Sequence, residues 1–279
     1  MNTDIYLEIK KKINEADAIV IGAGSGLSTA AGINYGTKDF AENFPELVKY
    51  YGFTDMYSSS FYEFKTEEER WSYWAKHIDY LCLSKPASET YKKLYRLVKD
   101  KNYFVITTNV DKEFIKSGFN SDKVFEIQGT LTKIQCAKAC HNKLYDDEEL
   151  IRKMLKENNE IRVPEYLVPI CPVCGGPMEV NLRKDEYFVE DDVWHKKEQA
   201  YEEFIEQNKE KKILFLELGA GFNTPGIIRF PFERLTYQLD NAFLIRINDK
   251  YAFVPTEIKE KSMSIEADIN EVLKKISDK

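Results

Sequence analysis

The sequence predicts an α/β fold in which an open, mostly parallel sheet carries a smaller inserted module. Short apolar runs of strand length recur along the chain, and helical patterns lie between them. Such alternation favours a parallel sheet that is covered by helices on both faces. Two segments, one rich in aromatic rings and one with paired cysteines, interrupt the alternation and predict the inserted module. With 279 residues, of which 43% are hydrophobic, the chain can bury a sizeable core.

Five apolar runs predict buried parallel strands, because each is short and continuous. They are AIVI at 18–21, YFVIT at 103–107, VFEI at 124–127, ILFLEL at 213–218 and FLIRI at 243–247. Two helical faces are also predicted from apolar residues at helical spacing. Their members are Tyr91, Leu94, Tyr95 and Val98 in one helix, and Ile265, Ile269, Leu273 and Ile276 in the other. We interpret both faces as core packing.

Two insertions divide the chain into domains. Residues 40–82 are rich in aromatic side chains and predict a helical insertion, whereas residues 133–180 contain four paired cysteines. We expect both insertions to form one small domain. The remaining ranges would form a Rossmann-type domain: 1–39, 83–132 and 181–279. Within it, the charged stretch 194–212 is expected to be a helix with a solvated face.

Composition and charge exclude several classes of partner. The net charge is −7 and the pI is about 5.3, which argues against nucleic acid, because phosphate binding favours a basic face. No apolar stretch approaches the roughly 18 to 20 residues that a membrane span needs. The first residues, MNTDIYLEIKKK, are polar and unlike a signal peptide. We therefore expect a soluble, cytoplasmic protein.

The cysteines predict a metal site. In a chain without a secretion signal, paired cysteines are more often metal ligands than disulfides. A C-x₃-C pair and a C-x₂-C pair lie 30 residues apart, and their members are Cys136, Cys140, Cys171 and Cys174. Four thiolates would close a structural zinc site that has no catalytic role. His141 is an alternative fourth ligand, and Cys82 is expected to be a small buried hydrophobic residue.

The loop after the first strand suggests a phosphate site. Gly22 and Gly24 allow close backbone approach, and N–H groups at a helix start favour an anion. A common dinucleotide fingerprint would have a third glycine at the position of Leu27, so the loop alone is a weak indication of a dehydrogenase. A tight turn without a ligand is the alternative. Nearby hydroxyl donors are supplied by Ser25, Ser28 and Thr29.

Two further strand ends carry small or polar residues. TTNVD occupies 107–111 and LGAGFNTPG occupies 218–226, and open α/β sheets bind ligands at such ends. Together with GAGS at 22–25, AAGI at 30–33, the Gln128-Gly129 turn and the cysteine pairs, they resemble the sirtuin family over roughly residues 16 to 250. The T-x-N-[IV]-D element and the cysteine pairs are the most specific part of this resemblance.

The resemblance implies that NAD is consumed between a Rossmann-type domain and a smaller zinc and helical module. The pyrophosphate would then be bound by the first loop, with residues Gly22, Ala23, Gly24, Ser25 and Ser28. The nicotinamide ribose and carboxamide would be met by Thr108, Asn109 and Asp111. The adenosine side would be lined by Gly219, Ala220, Gly221, Asn223 and Asn248. The loop over the nicotinamide site would include Gly32, Ile33 and Tyr35.

The sequence departs from sirtuin deacylases at Gln128, where that family carries a histidine before glycine. The histidine acts as a general base, and a glutamine amide cannot accept a proton near neutral pH. Such assistance is typically worth about 10² to 10⁴ in rate, or roughly 3 to 5 kcal/mol. We therefore expect little deacylation. Nicotinamide cleavage can still proceed, with Asn109 and Gln128 positioning the ribose and Asp111 holding the carboxamide.

Two other segments differ from the family pattern. Asn34-Tyr35-Gly36 replaces the Pro-Asp-Phe-Arg that deacylases commonly show. In the stretch 182–192, LRKDEYFVEDD, acidic residues replace the apolar substrate-binding part. Arg183 in this stretch is a candidate contact to the acceptor or cofactor, with a surface salt bridge as the alternative. His77 and His195 are candidates for a relocated base, but nothing in the sequence places either at the ribose.

This combination most resembles the macrodomain-linked, or class M, sirtuins of bacteria and some fungi. The resemblance implies a protein ADP-ribosyltransferase that modifies a lipoylated carrier protein, with a macrodomain hydrolase removing the mark. Two alternatives stay open. One is a catalytically silent NAD-binding module, and the other is a weak deacylase or NAD hydrolase.

Overall fold

A computed structural model of the chain describes residues 3–33 and 37–277. The predicted contact of Tyr35 and the rest of the Asn34-Tyr35-Gly36 loop lie outside the described residues. The chain forms two compact units. The first consists of Met1–Gly32, Ala87–Gln128 and Asp192–Lys279, and the second of Ile33–Pro86 and Gly129–Asp191.

Nine strands are found in the described ranges. They are β1 (Ala18–Ala23), β2 (Tyr103–Thr107), β3 (Val124–Glu126), β4 (Gly129–Cys136), β5 (Tyr145–Asp146), β6 (Met178–Leu182), β7 (Ile213–Leu218), β8 (Ala242–Asn248) and β9 (Ser262–Glu266).

The same ranges contain twelve α-helices. They are α1 (Thr3–Glu15), α2 (Ser25–Ala30), α3 (Thr37–Asn43), α4 (Pro45–Tyr51), α5 (Met56–Ser59), α6 (Glu67–Ile78), α7 (Glu89–Val98), α8 (Glu113–Lys116), α9 (Glu148–Glu157), α10 (Asp192–Asn208), α11 (Arg229–Gln238) and α12 (Ile269–Ser277). A π-helical turn, Asp79–Leu83, continues α6. Short 3₁₀ turns occur at Ser121–Lys123, Glu165–Leu167 and Thr256–Lys261. Within the described part of the chain, none of these helices combines the length and apolar character that crossing a membrane requires.

The first unit is built on a six-stranded sheet with the order β3-β2-β1-β7-β8-β9. Every neighbouring pair is parallel. The predicted α/β fold is confirmed, and all five predicted strands belong to this sheet. The sequence does not predict the sixth strand, β9, because most of its side chains are at least partly exposed.

One detail of the last predicted helix is wrong. Ile265 was placed on the apolar face of a helix together with Ile269, Leu273 and Ile276. It lies in β9 instead, and α12 begins at Ile269. All four side chains nevertheless pack in the same core cluster, so the periodicity identified core residues correctly across an element boundary.

Helices cover both faces of the sheet. Alternate strand residues point to opposite sides, so Ile21 and Val105 pack with residues of α1, α7 and α12, whereas Val20 and Phe104 pack on the other face. On that second face lie α11 and one side of α10, whose Trp194, Tyr201 and Phe204 contact the core. The charged stretch at 194–212 is therefore helical as far as Asn208, where α10 ends, and one side of that helix is packed.

The strand order reverses at β1, which has β2 on one side and β7 on the other. Ala23, the last residue of β1, pairs in register with Thr107 of β2 and Leu218 of β7. Loops leaving neighbouring strands in opposite directions create a crevice at the carboxyl edge of such a sheet. This edge positions the candidate site.

The second unit combines helices packed by aromatic rings with a small antiparallel sheet of order β5-β4-β6. Helices α4 to α6 fall in the segment predicted as a helical insertion, and α3 overlaps its start. Phe53 packs edge-on against Tyr73, with ring centroids 6.0 Å apart. The small sheet was not predicted, because its strands are short and mix polar with apolar residues.

Candidate active site at the carboxyl edge of the sheet

The loops after β1 and β7 lie directly against each other. The N–H of Gly24 donates to the Leu218 carbonyl at 3.0 Å, and the N–H of Gly26 donates to the Gly219 carbonyl at 3.1 Å. A Cβ on Gly24 would lie 2.6 Å from the Gly219 oxygen, and one on Gly26 would lie 2.7 Å from the Gly219 Cα. Gly219 has φ +66°, and a Cβ there would lie 2.4 Å from the Leu27 nitrogen. Three glycines are therefore needed for this backbone contact, and the sequence analysis had not identified Gly26.

Gly22 has a structural role in addition to the one suggested by the loop motif. It lies inside β1, and a Cβ there would come within 2.5 Å of both Ile228 and Phe232. Its missing side chain thus allows α11 to approach the sheet. The space left by the missing side chains of Gly22 and Gly24 is thus taken by other parts of the protein, α11 and the loop after β7.

A buried hydrogen-bond network joins the loop after β1 to the loop after β2. Ser28 Oγ donates to Asp111 Oδ2 at 2.5 Å and lies 3.1 Å from the Tyr91 hydroxyl. Asn109 Nδ2 donates to the Gly24 carbonyl at 3.0 Å and to the Tyr91 oxygen at 3.2 Å. All four side chains that form the network are at least 94% buried. The predicted site residues Ser28, Asn109 and Asp111 are thus brought together.

The backbone of TTNVD is held by the end of β1. Thr107 Oγ1 donates to the Ala23 carbonyl at 3.0 Å and accepts from the Asn109 N–H at 3.0 Å, and the Thr108 N–H donates to the same carbonyl at 3.1 Å. Lys112 then adopts φ +58°, which is uncommon for a residue with a side chain. This turn directs the chain into α8 immediately after Asp111.

Asp111 is a buried carboxyl group whose two oxygens are both hydrogen-bonded. Oδ2 accepts from Ser28, and Oδ1 accepts from the Glu113 N–H at 3.0 Å. Burial raises the pKa of Asp111, and the hydrogen bond from Ser28 opposes that rise. Both oxygens of Asp111 thus act as hydrogen-bond acceptors in this structure.

Gln128 and Glu126 lie at the end of β3. The Ile127 N–H between them donates to the Thr107 carbonyl at 3.2 Å, and Glu126 pairs in register with Thr107. Burial, followed by the nearby charge of Asp111, raises the pKa of Glu126 to about 7. Glu126 was not singled out in the sequence, where it reads only as the third residue of a strand. Gln128 is half-buried.

On the predicted adenosine side, Asn248 links two loops. Its Nδ2 donates to the Ala220 carbonyl at 3.0 Å, and its Oδ1 accepts from the N–H groups of Lys250 and Tyr251 at 3.3 and 3.4 Å. Asn248 is only 3% exposed, so its amide orders the loops after β7 and β8. Asn223 is exposed, and a Cβ on Gly221 would meet nothing within 4 Å.

A buried ionic cluster supports the same two loops. Arg246 Nε lies 2.7 Å from Glu217 Oε1, and both side chains are fully buried. Arg229 donates to the carbonyls of Tyr251 and Phe253 at 2.7 and 2.8 Å. Arg229 thus holds the backbone of the loop after β8, and its guanidinium lies 4.5 Å from the centroid of the Phe222 ring in the loop after β7.

Two predicted site residues belong to the second unit. Ile33 is buried there. Arg183 forms an ion pair with Glu190, and its guanidinium lies 4.4 Å from the centroid of the Phe188 ring. Both partners of Arg183 thus lie a few residues further along the same segment of the chain.

Neither candidate histidine belongs to the hydrogen-bond network formed by Ser28, Tyr91, Asn109 and Asp111. His77 is buried in the second unit, where its Nδ1 lies 2.7 Å from the Tyr73 hydroxyl. Burial lowers the pKa of His77 to about 3, so its ring stays neutral and is a weak base. His195 is exposed on α10, with its Nδ1 3.6 Å from Glu198.

The four predicted cysteine ligands converge in the second unit. Their sulfurs all lie within 4.8 Å of one another, with Cys136 3.7 Å from Cys174 and Cys140 3.6 Å from Cys171. Tetrahedral zinc with Zn–S bonds of about 2.3 Å requires sulfurs about 3.8 Å apart. The donor set and spacing therefore fit structural zinc. His141 Nε2 lies 3.6 Å from the Cys171 sulfur, beside the four thiols.

Comparisons with known proteins agree with this architecture. A model of the Sir2 family matches residues 24–217. A protein ADP-ribosyltransferase from Staphylococcus aureus is 37% identical over 266 residues, which cover 95% of this chain and 84% of that protein. A probable bifunctional ADP-ribose hydrolase/ADP-ribosyltransferase from Fusarium oxysporum f. sp. cubense is 29% identical over 94% of this chain, which spans 46% of that protein.

Solved structures show the same fold. Sir2Tm bound to a propionylated peptide aligns with a TM-score of 0.58 at 18% identity, covering 99% of this chain and 97% of that one. A Sir2 homologue in complex with NAD aligns with a TM-score of 0.59 at 18% identity, covering 97% and 92%. The resemblance drawn from the motifs is confirmed. This chain belongs to the Sir2 family.

Proposed function

We propose that this NAD-dependent ADP-ribosyltransferase of the Sir2 family modifies a protein acceptor and catalyses little or no deacylation. One observation carries the proposal. Asn109 and Asp111 are buried in a single hydrogen-bonded network at the carboxyl edge of the sheet, while the residue after β3 that would have to act as a base is Gln128. The site keeps groups suited to orienting NAD and lacks the group that deacylation requires.

The chemistry needs the bond between nicotinamide and ribose to break, with its electron pair leaving on nicotinamide. Positive charge then develops on the ribose, and fixed dipoles in a site without bulk water stabilise it. In this proposal Asn109 and Gln128 orient the ribose, and Asp111 holds the carboxamide of the leaving group. A nucleophile of the acceptor protein then bonds to the anomeric carbon and releases its proton.

The proposed contacts to NAD keep the positions predicted from the sequence, with two refinements. The N–H of Gly24 already donates to Leu218, and Gly22 packs against α11, so both are assigned structural roles in the phosphate loop. Exposed Ser25 is then the more accessible phosphate partner in that loop. On the adenosine side, Gly221 and Asn223 lie on the open part of the loop, whereas Asn248 and Ala220 shape it.

The acceptor is proposed to be a lipoylated carrier protein, and a macrodomain hydrolase is proposed to remove the modification. The Fusarium relative supports the second point, because its name joins ADP-ribose hydrolysis to ADP-ribosyl transfer in one longer chain. The domain assignment made from the sequence is part of the same proposal. In it, segments 40–82 and 133–180 form the small domain, and Arg183 contributes to acceptor or cofactor binding.

The test incubates the purified protein with labelled NAD and a carrier protein, in matched lipoylated and unlipoylated forms. Label on the lipoylated carrier alone, absent with Asn109→Ala, is the expected result. Equal labelling of both carriers would remove lipoylation from the proposal and leave the transferase. Binding of NAD without nicotinamide release, with either carrier, would contradict the transferase and favour a silent NAD-binding module.

A further inference from the structure

We infer that Tyr91 is a positioning residue that fixes the side-chain amide of Asn109 so that its oxygen is presented as an acceptor. The inference rests on the proposed function insofar as Asn109 is taken to orient the ribose. Tyr91 was identified in the sequence only as part of an apolar helix face. Its hydroxyl, however, lies between Ser28 and Asn109, at 3.1 Å from the Ser28 oxygen and 3.2 Å from Asn109 Nδ2.

The direction of the hydrogen bonds follows from the chemistry of the partners. Asp111 accepts at both oxygens, so the single hydroxyl proton of Ser28 is committed to Asp111 Oδ2. The contact between Ser28 and Tyr91 then needs the Tyr91 proton, because one of the two hydroxyls must donate. The Tyr91 oxygen is consequently an acceptor toward Asn109.

The Asn109 amide has two N–H donors, and the structure gives each a fixed acceptor. One is the Gly24 carbonyl at 3.0 Å, and the other is the Tyr91 oxygen. A carbonyl oxygen cannot donate, so Nδ2 must face Gly24, and the bond to Tyr91 holds the second N–H. The amide oxygen of Asn109 therefore has one orientation and is available to accept from a hydroxyl such as that of a ribose.

Tyr91 is itself held rigidly. It is fully buried in the first turn of α7, which Ser88 caps by accepting from the Thr90 N–H at 3.2 Å. Its ring packs edge-on against Phe114, with centroids 5.0 Å apart and planes at 88°. A phenylalanine at this position would keep the ring packing and lose only the hydroxyl.

The decisive variant is Tyr91→Phe, with Tyr95→Phe as its matched control. Tyr95 lies one turn later on the same helix and packs against Phe119 at 5.1 Å, outside the network. For Tyr91→Phe we expect the single-turnover rate of nicotinamide release to fall about 10- to 100-fold, since small displacements of an orienting group have effects of this size. NAD affinity should change less than about 3-fold, because the loss falls on orientation and spares binding. Tyr95→Phe should leave both quantities at the wild-type value.

A double-mutant cycle separates positioning from packing. If Tyr91 acts through Asn109, then adding Tyr91→Phe to Asn109→Ala should cause no further loss of nicotinamide release. Losses that add in the double variant, or a Tyr91→Phe rate equal to the wild type, would overturn the inference. If Tyr91→Phe does not fold, Ser28→Ala removes the preceding link and is subject to the same cycle.

A readout without turnover distinguishes this inference from the proposed function. The side-chain amide protons of Asn109, followed by NMR in labelled protein, should exchange slowly with solvent in the wild type and faster in Tyr91→Phe. If exchange is faster in Tyr91→Phe but the wild-type protein releases no nicotinamide, the positioning role of Tyr91 is supported and the proposed function is refuted. Unchanged exchange in an active protein would refute the inference alone.

Discussion

Glu126 shows how a single residue at the sheet edge ties stability to pH. Burial and then the charge of Asp111 raise the pKa of Glu126 from 4.5 to about 7. Between these two pH values the folded protein keeps a proton on Glu126 that the unfolded chain has already released. The contribution to stability is fully present below about pH 4.5 and is lost as the pH rises toward 7. We expect Glu126→Gln, which cannot ionise, to gain stability relative to the wild type between pH 5 and pH 8, measured by thermal unfolding at both values. Glu202→Gln on the exposed side of α10 is the control, and a parallel response of the two variants would contradict the assignment.

Other site residues show what one sequence does and does not disclose. Asn109 and Asp111 stood out because polar residues directly follow a buried strand. Tyr91 did not stand out, because a tyrosine on an apolar helix face is ordinarily a core residue. Tyr91 does belong to the core cluster as well. Its hydroxyl among aliphatic neighbours was the available indication, but its partners Ser28 and Asn109 are distant in sequence and are revealed only by the fold.

At the scale of elements, the carboxyl edge depends on two loops whose backbones touch. The glycines of these loops are determined by packing between parts of the chain, and this requirement is open to a direct test. Gly26→Ala would place a Cβ 2.7 Å from the Cα of Gly219, and backbone cannot move aside as a flexible side chain can. We expect a loss of about 1 to 3 kcal/mol in the free energy of unfolding.

Gly221→Ala is the matched control for that variant, because its Cβ would meet nothing within 4 Å. Its stability should stay within about 0.5 kcal/mol of the wild type, as for most surface substitutions. Denaturant unfolding of both variants measures the difference. If Gly26→Ala proved as stable as Gly221→Ala, the two loops would not be in the contact described.

Strands differ in how readily the sequence discloses them. The four central strands of the large sheet, β1, β2, β7 and β8, are buried over almost their whole length, so each is a continuous apolar run that periodicity detects. The edge strand β9 and the small sheet are only partly buried, and their mixed composition resembles a loop or a helix end. This is why Ile265 was assigned to a helix although it lies in a strand.

For the whole molecule, zinc is expected to be a condition of stability for the second unit. The four cysteine sulfurs lie within 4.8 Å of one another. Without a bound metal ion, ionised thiolates at this distance would repel one another. We expect about one zinc per chain by elemental analysis. A strong chelator should lower the unfolding temperature markedly, whereas Cys82→Ser should leave the zinc content unchanged. Full stability after complete zinc removal would contradict the structural role.

The proposed catalysis depends on two features: the groups that orient NAD are present, and Gln128 stands at the position of the general base. The Sir2-family sheet holds Asn109 and Asp111 in place, while Gln128 follows β3 and His77 is buried and a weak base. NAD cleavage is retained in the proposal, and the fate of the ADP-ribose shifts from an acyl group to a protein nucleophile.

The most direct test measures nicotinamide release and the intact mass of a lipoylated carrier in the same reaction with unlabelled NAD. The carrier should gain one ADP-ribose unit for each nicotinamide released, and Asn109→Ala should lower both quantities strongly. A parallel reaction with an acetylated peptide should give little or no deacetylated product. Rapid deacetylation by the wild-type protein, or nicotinamide release with no mass added to any protein, would contradict ADP-ribosyl transfer to a protein as its activity.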